Sequence, residues 1–286
     1  MRCSPAARGA TYAVALVAGH RDWGTAVPRS FVENVSVWWL AAIAFICLPA
    51  LTVALQWLIR HRSPGLIEGR QNTAVSSMGG FVGVVYAIIV GFMVITLWEQ
   101  HASAGTAVQN ETQDLGDLVQ FSGALGPAAH GRVTDQVVGY AGSVATAEWP
   151  AMARGTSSPA TQQHFDRLLE TVQRVRVRDV SEQEFEGSVL AEINDIGDSR
   201  QQRLDLANAN IPGVLWVVVI LASAGTLAFS LLLGIDRARL QYFIVGTVAV
   251  LIGASLVLVL ELEYPFTGSL AVHPEPFKQI ALELGR

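Results

Sequence analysis

The chain has 286 residues, of which 51% are hydrophobic and only 15% charged, and its formal net charge at pH 7 is −5. Soluble domains carry about a quarter charged residues, so this composition excludes an ordinary soluble globular protein. There are two cysteines, and Cys47 lies inside an apolar run. A disulfide framework and a Cys-x-x-Cys metal site are therefore excluded as well.

The charged residues leave four long gaps in the sequence, and each gap predicts a membrane helix. No Asp, Glu, Lys or Arg occurs at 35–59, 71–98, 206–235 or 240–260. Each gap supplies the roughly 20 apolar residues that cross a bilayer. Trp and Tyr side chains near the gap ends fit the interfacial aromatic belt. We therefore expect four spans, with the lipid bilayer as a partner.

The first predicted helix runs from about Val37 to Ile59, and Pro49 is expected to kink it because proline removes a backbone donor. Residues 1–34 stay unassigned. Their arginines and short apolar run weakly resemble a secretory signal, and an over-long gene start is the alternative.

The second predicted helix continues beyond the bilayer. It begins near Gly79, and no proline occurs between Pro64 and Pro127. After Trp98 the composition turns polar, but apolar residues still recur every three or four positions. We therefore predict that this helix extends about 40 Å beyond the membrane, at 1.5 Å per residue.

Helical spacing recurs in three later segments, near 129–149, 159–177 and 181–209, and Pro212 suits the first turn of the third membrane helix. The predicted fold is an all-α membrane protein with a helical bundle inserted between membrane helices 2 and 3, helix 2 extending into it. The predicted divisions are an uncertain N-terminus (1–34), helices 1 and 2 (35–98), the bundle (99–211), helices 3 and 4 (212–262) and a C-terminal tail (263–286).

Three charged residues lie on or beside apolar stripes of the bundle. Glu111 follows Leu97 by 14 residues, about 21 Å, and Arg200 precedes Pro212 by 12, about 18 Å. These similar heights predict a Glu111–Arg200 ion pair inside the bundle, which Arg203 shares. The alternative is that the charges are solvated at the stripe edge.

No catalytic or metal-binding pattern is found in the sequence. The six histidines show no ligand spacing, and there is no Ser-His-Asp arrangement, phosphate loop or paired carboxylate signature. The sequence therefore predicts no enzyme, no cofactor, no metal and no nucleic-acid partner. Glu261 and Glu263, at the exit of the fourth span, are interpreted as solvated, and the alternative is that Glu263 faces the bundle interior as an ion-pathway candidate.

Five segments together resemble the bestrophin-like bacterial membrane proteins, across about 36–280. They are "YAIIVGFMVITLWEQ", "AVQNETQDLGDL", "AEWPAMARG", "DSRQQRLDLANANIPGVLW" and "LELEYPFTGSL". Besides Glu111, Arg200 and Arg203, the residues that carry the resemblance are Trp98, Glu99, Glu148, Trp149, Pro150, Pro212, Trp216, Pro265, Phe266 and Gly268. Glu263 stands where the family pattern has Asp.

The resemblance implies a bestrophin-like fold and an oligomeric anion channel of the inner membrane. By analogy with bestrophins, helix 2 lines the pore, and Ile88, Phe92 and Ile95 form its neck, because hydrophobic constrictions gate by dewetting. The alternative for these three residues is contact with lipid or neighbouring helices. The alternative function is a non-channel envelope protein whose bundle senses or binds a partner.

The distribution of arginines bears on which side the bundle occupies. Arg60, Arg62 and Arg70 lie between the first two spans, and Arg237 and Arg239 lie between the last two. The positive-inside rule places these loops in the cytoplasm and the bundle on the opposite side, unlike a bestrophin.

Overall fold

The computed structural model describes residues 37–62, 72–174, 180–235 and 237–285, so the segment 1–34 lies outside the described residues. Within these ranges the chain forms eight helices and no strand, which confirms the all-α fold. Their bounds are α1 (Val37–Ala42, a π-helical turn at Ile43–Cys47, then Leu48–Arg62), α2 (Asn72–Ser122), α3 (Pro127–Ser143, a π-helical turn at Val144–Glu148, then Trp149–Ala153), α4 (Pro159–Gln173), α5 (Val180–Asn208), α6 (Gly213–Leu232), α7 (Ala238–Glu263) and α8 (Glu275–Leu284).

Four of these helices, α1, α2, α6 and α7, are long and apolar enough to cross a membrane, as the four charge-free gaps predicted. Within this membrane part, α2 packs against α6 and α7, and α7 packs against α1. Their shared core is formed by Leu40, Tyr86, Val90, Met93, Leu97, Trp216, Val219, Ile252, Val259, Leu260, Leu262 and Tyr264.

Pro49 lies in the first turn after a π-helical turn of α1, Ile43–Cys47. A proline has no N–H to donate to the preceding turn, and a π turn is one way in which a helix absorbs such a mismatch. The local disturbance predicted at Pro49 takes this form.

α2 is the longest helix, with 51 residues. It begins at Asn72, seven residues before the predicted start at Gly79, because nothing in that stretch opposes a helix and the Asn72 side chain is anchored. Its amide donates to the Gly234 carbonyl at 2.6 Å and its carbonyl accepts from the Gly234 N–H at 3.0 Å. After Ser122 a 3-10 turn leads to Gly126, whose φ of 94° suits glycine.

The extramembrane bundle consists of the upper half of α2 with α3, α4, α5 and α8. α5 packs along α2, α4 packs on α3, and α8 packs on α3. Its core includes Ala104, Val108, Leu115, Leu118, Val133, Val137, Tyr140, Val144, Trp149, Met152, Leu168, Ile193, Ile196 and Phe277. The bundle therefore has its own apolar core, separate from the membrane core, and α2 contributes residues to both.

The C-terminal segment is part of the bundle, which corrects the prediction of a tail at 263–286. Phe277 of α8 is fully buried, and Phe266 is buried in the same core. Because α8 has only ten residues, its apolar face was too short to stand out in the sequence.

Candidate functional site

A buried network of charged side chains lies at the centre of the bundle, where α2, α3 and α5 meet. Glu111 of α2 accepts two hydrogen bonds from Arg203 of α5, from Nε to Oε2 at 2.7 Å and from Nη2 to Oε1 at 3.0 Å. Both side chains are fully buried. This two-point contact is the strongest geometry that a guanidinium and a carboxylate form.

Glu148 of α3 extends the network to a second arginine. Its Oε2 accepts from Arg203 Nη2 and its Oε1 accepts from Arg200 Nη2, both at 2.8 Å. Arg200 Nη1 also donates to Gln162 Oε1 at 2.5 Å, and the Tyr140 hydroxyl donates to Glu111 Oε1 at 2.6 Å. We call Glu111, Arg203, Glu148 and Arg200 the bundle ion network. Its formal charges alternate and sum to zero.

Aromatic rings enclose the central guanidinium. The Arg203 Cζ lies 5.9 Å from the Trp149 ring centre and 5.4 Å from that of Phe277. Burial lowers the pKa of Arg203, but the charge and hydrogen bonds of Glu111 outweigh it, so Arg203 stays charged. Burial and the Glu111 charge raise the pKa of Tyr140, so its hydroxyl remains a donor.

The structure assigns the partners differently from the predicted Glu111–Arg200 pair. Arg203 binds Glu111, and Arg200 binds Glu148. The reason is that residues 209–212 are not helical. Extended backbone advances about 3.3 Å per residue, against 1.5 Å in a helix. The predicted heights assumed a helical rise through these four residues, and that assumption fails.

Glu263 faces the interior at the membrane exit of α7, instead of being solvated. It accepts from Trp216 Nε1 at 3.2 Å and from the Ile211 N–H at 3.3 Å. Pro212 precedes the first turn of α6. The carboxylate therefore lies at the N-terminal end of α6, where negative charge is favoured.

Glu261, two residues earlier on α7, is also buried and holds the chain reversal after α7. Its Oε2 accepts from the N–H and the hydroxyl of Ser269, both at 2.9 Å. Gly268 has a φ of 86°, and a Cβ there would lie 2.8 Å from that same oxygen. Pro265 is buried beside this turn, and the Phe266 ring packs edge-on against Trp149 at 5.5 Å.

The remaining predicted residues lie on the surface of the chain. Ile88, Phe92 and Ile95 are 53%, 69% and 58% exposed on one face of α2. Glu99 is exposed on that face, and Trp98 stacks on His101 at 6.3 Å. Pro150 is exposed in the first turn of the last part of α3. None of these six contacts the bundle ion network.

Several residues that contact the bundle ion network were not singled out by the sequence. Tyr140 was visible only as a member of an apolar stripe. Gln162 carried no signal, and neither did Met152, whose Sδ accepts from Arg203 Nη1 at 2.7 Å. Phe277 lay in the segment interpreted as a tail. In the described part of the chain, no group of three or more His, Cys, Asp or Glu side chains is placed to hold a metal. The charges of the bundle ion network are paired across three helices, α2, α3 and α5.

The sequence model of the Bestrophin-like domain matches residues 46–277. The chain belongs to the Bestrophin-like family. No curated protein matches its sequence. The family match ends at Phe277, so it includes the turn after α7 and the first three residues of α8 in this Bestrophin-like protein.

Solved structures with the same fold include variants of a bacterial bestrophin homologue from Klebsiella pneumoniae. One is 15% identical with a TM-score of 0.70, and the alignment covers 88% of this chain and 97% of that one. Another is 17% identical with a TM-score of 0.67, covering 84% and 97%. At these identities the similarity establishes the fold of the Bestrophin-like chain.

Proposed function

We propose that this membrane protein is a homo-oligomeric ion channel of the inner membrane, in which α2 of each copy lines the conduction path. The resemblance to bestrophins implies a channel and implies anions as the permeant ions. The observation that carries the proposal is one uncovered face of α2, which runs from the membrane half into the bundle.

In the membrane half, this face is large and apolar. Phe81, Ile88, Phe92 and Ile95 recur at steps of three, four or seven residues and are all exposed. The opposite side of the same helix is buried at Tyr86, Val90, Met93 and Leu97. α2 therefore presents one apolar face away from every described helix of its own chain.

In the extramembrane half, the same face continues with residues that suit water. Glu99, Ala102, Thr106, Asn110 and Gln113 follow at the same helical steps, and all are exposed. The opposite side packs against α5. α2 thus has one exposed face, which is apolar inside the membrane and polar above it. Such a face is suited to line a central ion pathway between copies of the chain.

The apolar part of this face supplies a gate of known physical type. A ring of Ile88, Phe92 and Ile95 side chains from several copies would form a hydrophobic neck, and such constrictions block ions when they lose water. We define these three residues as the neck residues.

The experiment that tests the proposal compares two phenylalanines on membrane helices. Phe92 on α2 and Phe243 on α7 are 69% and 71% exposed. The purified full chain is reconstituted in planar bilayers, and Phe92→Ala is expected to increase open time or conductance because it widens and wets the neck. Phe243→Ala, the matched control, is expected to leave the current unchanged. Equal effects of the two variants would contradict a position of Phe92 in the conduction path. Absence of current from the wild-type chain would contradict the channel function itself.

The second candidate is a non-channel envelope protein whose bundle binds a partner outside the cell membrane. The arginines at the far ends of the spans favour it: Arg62, Arg237 and Arg239 are exposed, and Arg60 donates to the Ile235 carbonyl and to Gln241. Cytoplasmic loops are enriched in such residues, which would place the bundle outside. If this candidate is right, the purified protein will be folded, as a monomer or an oligomer, but will carry no current in planar bilayers.

A further inference from the structure

We propose that the arginines at the far end of the spans, opposite the bundle, form a binding site for the phosphate headgroup of an anionic lipid. The site lies where the end of α1 meets the start of α7. It follows from the buried contacts that bring these arginines together and from the apolar surface beside them, and it does not depend on the channel function.

Hydrogen bonds join the end of α1 to the loop between α6 and α7. Gln241, near the start of α7, is 1% exposed, and its amide donates to the Leu233 carbonyl at 2.7 Å. Its side-chain oxygen accepts from Arg60 Nη1 at 2.5 Å, and the same nitrogen donates to the Ile235 carbonyl at 3.1 Å. These bonds hold the loop, the start of α7 and the end of α1 together, so they bring arginines from distant parts of the sequence to one place.

Three exposed arginines lie beside this junction. Each is two residues along the chain from a member of the Arg60 contact: Arg62 from Arg60, Arg237 from Ile235 and Arg239 from Gln241. Over the segments 60–71 and 233–239, the sequence contains five arginines and two acidic residues, Glu68 and Asp236. Positive charge is therefore in excess at this end of the membrane part.

The backbone at the start of α7 adds to this positive potential. The first turn of α7 contains no acidic residue, and no described side chain caps its N-terminal end, which begins after Arg237. The unpaired N–H groups of a first helical turn favour an anion. Guanidinium groups bind phosphate through two parallel hydrogen bonds, so a phosphate group suits this site.

The neighbouring surface favours a lipid over a soluble phosphate. Leu240 and Phe243 of α7 are 47% and 71% exposed, and Trp57 of α1 is 56% exposed. The Trp57 ring stacks on His61 with 5.5 Å between ring centres, in keeping with the membrane interface. These apolar side chains are available to acyl chains, which a soluble anion lacks. The positive-inside rule places the site at the cytoplasmic leaflet, whose lipids carry negative charge.

The test measures lipid binding to the full chain in an uncharged detergent by native mass spectrometry. Phosphatidylglycerol is titrated in, and phosphatidylcholine with the same acyl chains is the comparison. We expect the wild type to bind phosphatidylglycerol more tightly than phosphatidylcholine. One arginine near a membrane surface is worth about fivefold in affinity for anionic lipid, so Arg237→Gln/Arg239→Gln is expected to weaken phosphatidylglycerol binding about 25-fold.

Two further pairs of substitutions separate the site from a general effect of charge. Arg237→Lys/Arg239→Lys keeps both positive charges and should retain most of the affinity. Arg132→Gln/Arg167→Gln removes two exposed arginines of the bundle and should leave binding unchanged.

Three outcomes would overturn the inference. They are equal phosphatidylglycerol affinity of the wild type and Arg237→Gln/Arg239→Gln, equal affinity of the wild type for the two lipids, and displacement of bound phosphatidylglycerol by equimolar inorganic phosphate. Thermal unfolding checks that each variant is folded. If the glutamine pair is not folded, Arg62→Gln at the exposed end of α1 is measured instead, with an expected loss of about fivefold. No current enters the test, so its result stands apart from that of the channel experiment.

Discussion

Glu148 joins two arginines that would otherwise repel each other. Arg203 and Arg200 are three residues apart on α5, and one carboxylate oxygen of Glu148 binds each of them. Glu111 neutralises Arg203 from the other side. Buried pairs of this kind add little net stability over apolar residues, but loss of a single partner leaves an uncompensated charge. The network therefore penalises any packing in which α2, α3 and α5 shift out of register.

Arg203→Met is expected to destabilise the bundle by about 3–5 kcal/mol, because Glu111 and Glu148 are left buried without their shared partner. The control is Arg174→Met, which removes an exposed pair with Glu170 and should cost less than about 1 kcal/mol. The measurement is thermal or denaturant unfolding of the full chain in detergent. Equal stability of the two variants would show that the network does not hold the bundle.

At the residue scale, the sequence showed which charged residues lie on or beside the apolar stripes of the bundle, but not how they pair. Glu111 was recognisable because it replaces an apolar residue on a stripe, and Arg200 and Arg203 for the same reason. The pairing depends on the rise of the non-helical residues 209–212, and a one-turn error in that rise exchanges one arginine for the other. Glu148 was recognised only within the family resemblance, since it follows no apolar period.

At the scale of the element, α1 and α7 cross at very close range. A Cβ on Gly253 would lie 2.6 Å from the Ala44 carbonyl oxygen, in the π-helical turn of α1. Close approach of this kind strengthens helix association in lipid, where apolar burial contributes no driving force. The widened turn of α1 and the glycine of α7 therefore fit each other.

Gly253→Ala is expected to separate the two helices and destabilise the membrane part by about 1–3 kcal/mol, the usual cost of overpacking. Gly246→Ala is the control on the same pair of helices, because its Cβ would meet Val53 at an ordinary 3.6 Å. Unfolding of both variants in lipid nanodiscs gives the comparison. The close crossing would be refuted by an unaltered Gly253→Ala protein.

Helices with long, uniform patterns were predictable, and short ones were not. The length of α2 followed from an absence of proline between Pro64 and Pro127, and the spans followed from charge-free gaps. The ten-residue α8 depends on contacts with a surface formed by α2 and α3, and no local sequence pattern predicts such contacts. The start of α2 at Asn72 likewise depends on a distant partner, Gly234.

At the scale of the whole molecule, the loop arginines predict which side of the membrane the bundle occupies. The exposed loop between α3 and α4 contains Ser157, and Thr73 is exposed at the far end of α2. In a background with Cys3 and Cys47 replaced, we expect Ser157→Cys to react with an impermeant thiol reagent in intact cells, because the loop arginines favour the cytoplasm.

The control for this experiment is Thr73→Cys, which lies on the opposite side and should react only after lysis. The reverse pattern would place the bundle in the cytoplasm and contradict the arginine argument.

The packing of α8 has a consequence for how the protein is made. Phe277, which covers the Arg203 guanidinium, follows both final spans in the chain. A nascent chain that has not yet reached Phe277 therefore leaves Arg203 and an apolar cleft of the bundle uncovered. The bundle core is completed later in synthesis than every membrane helix described above.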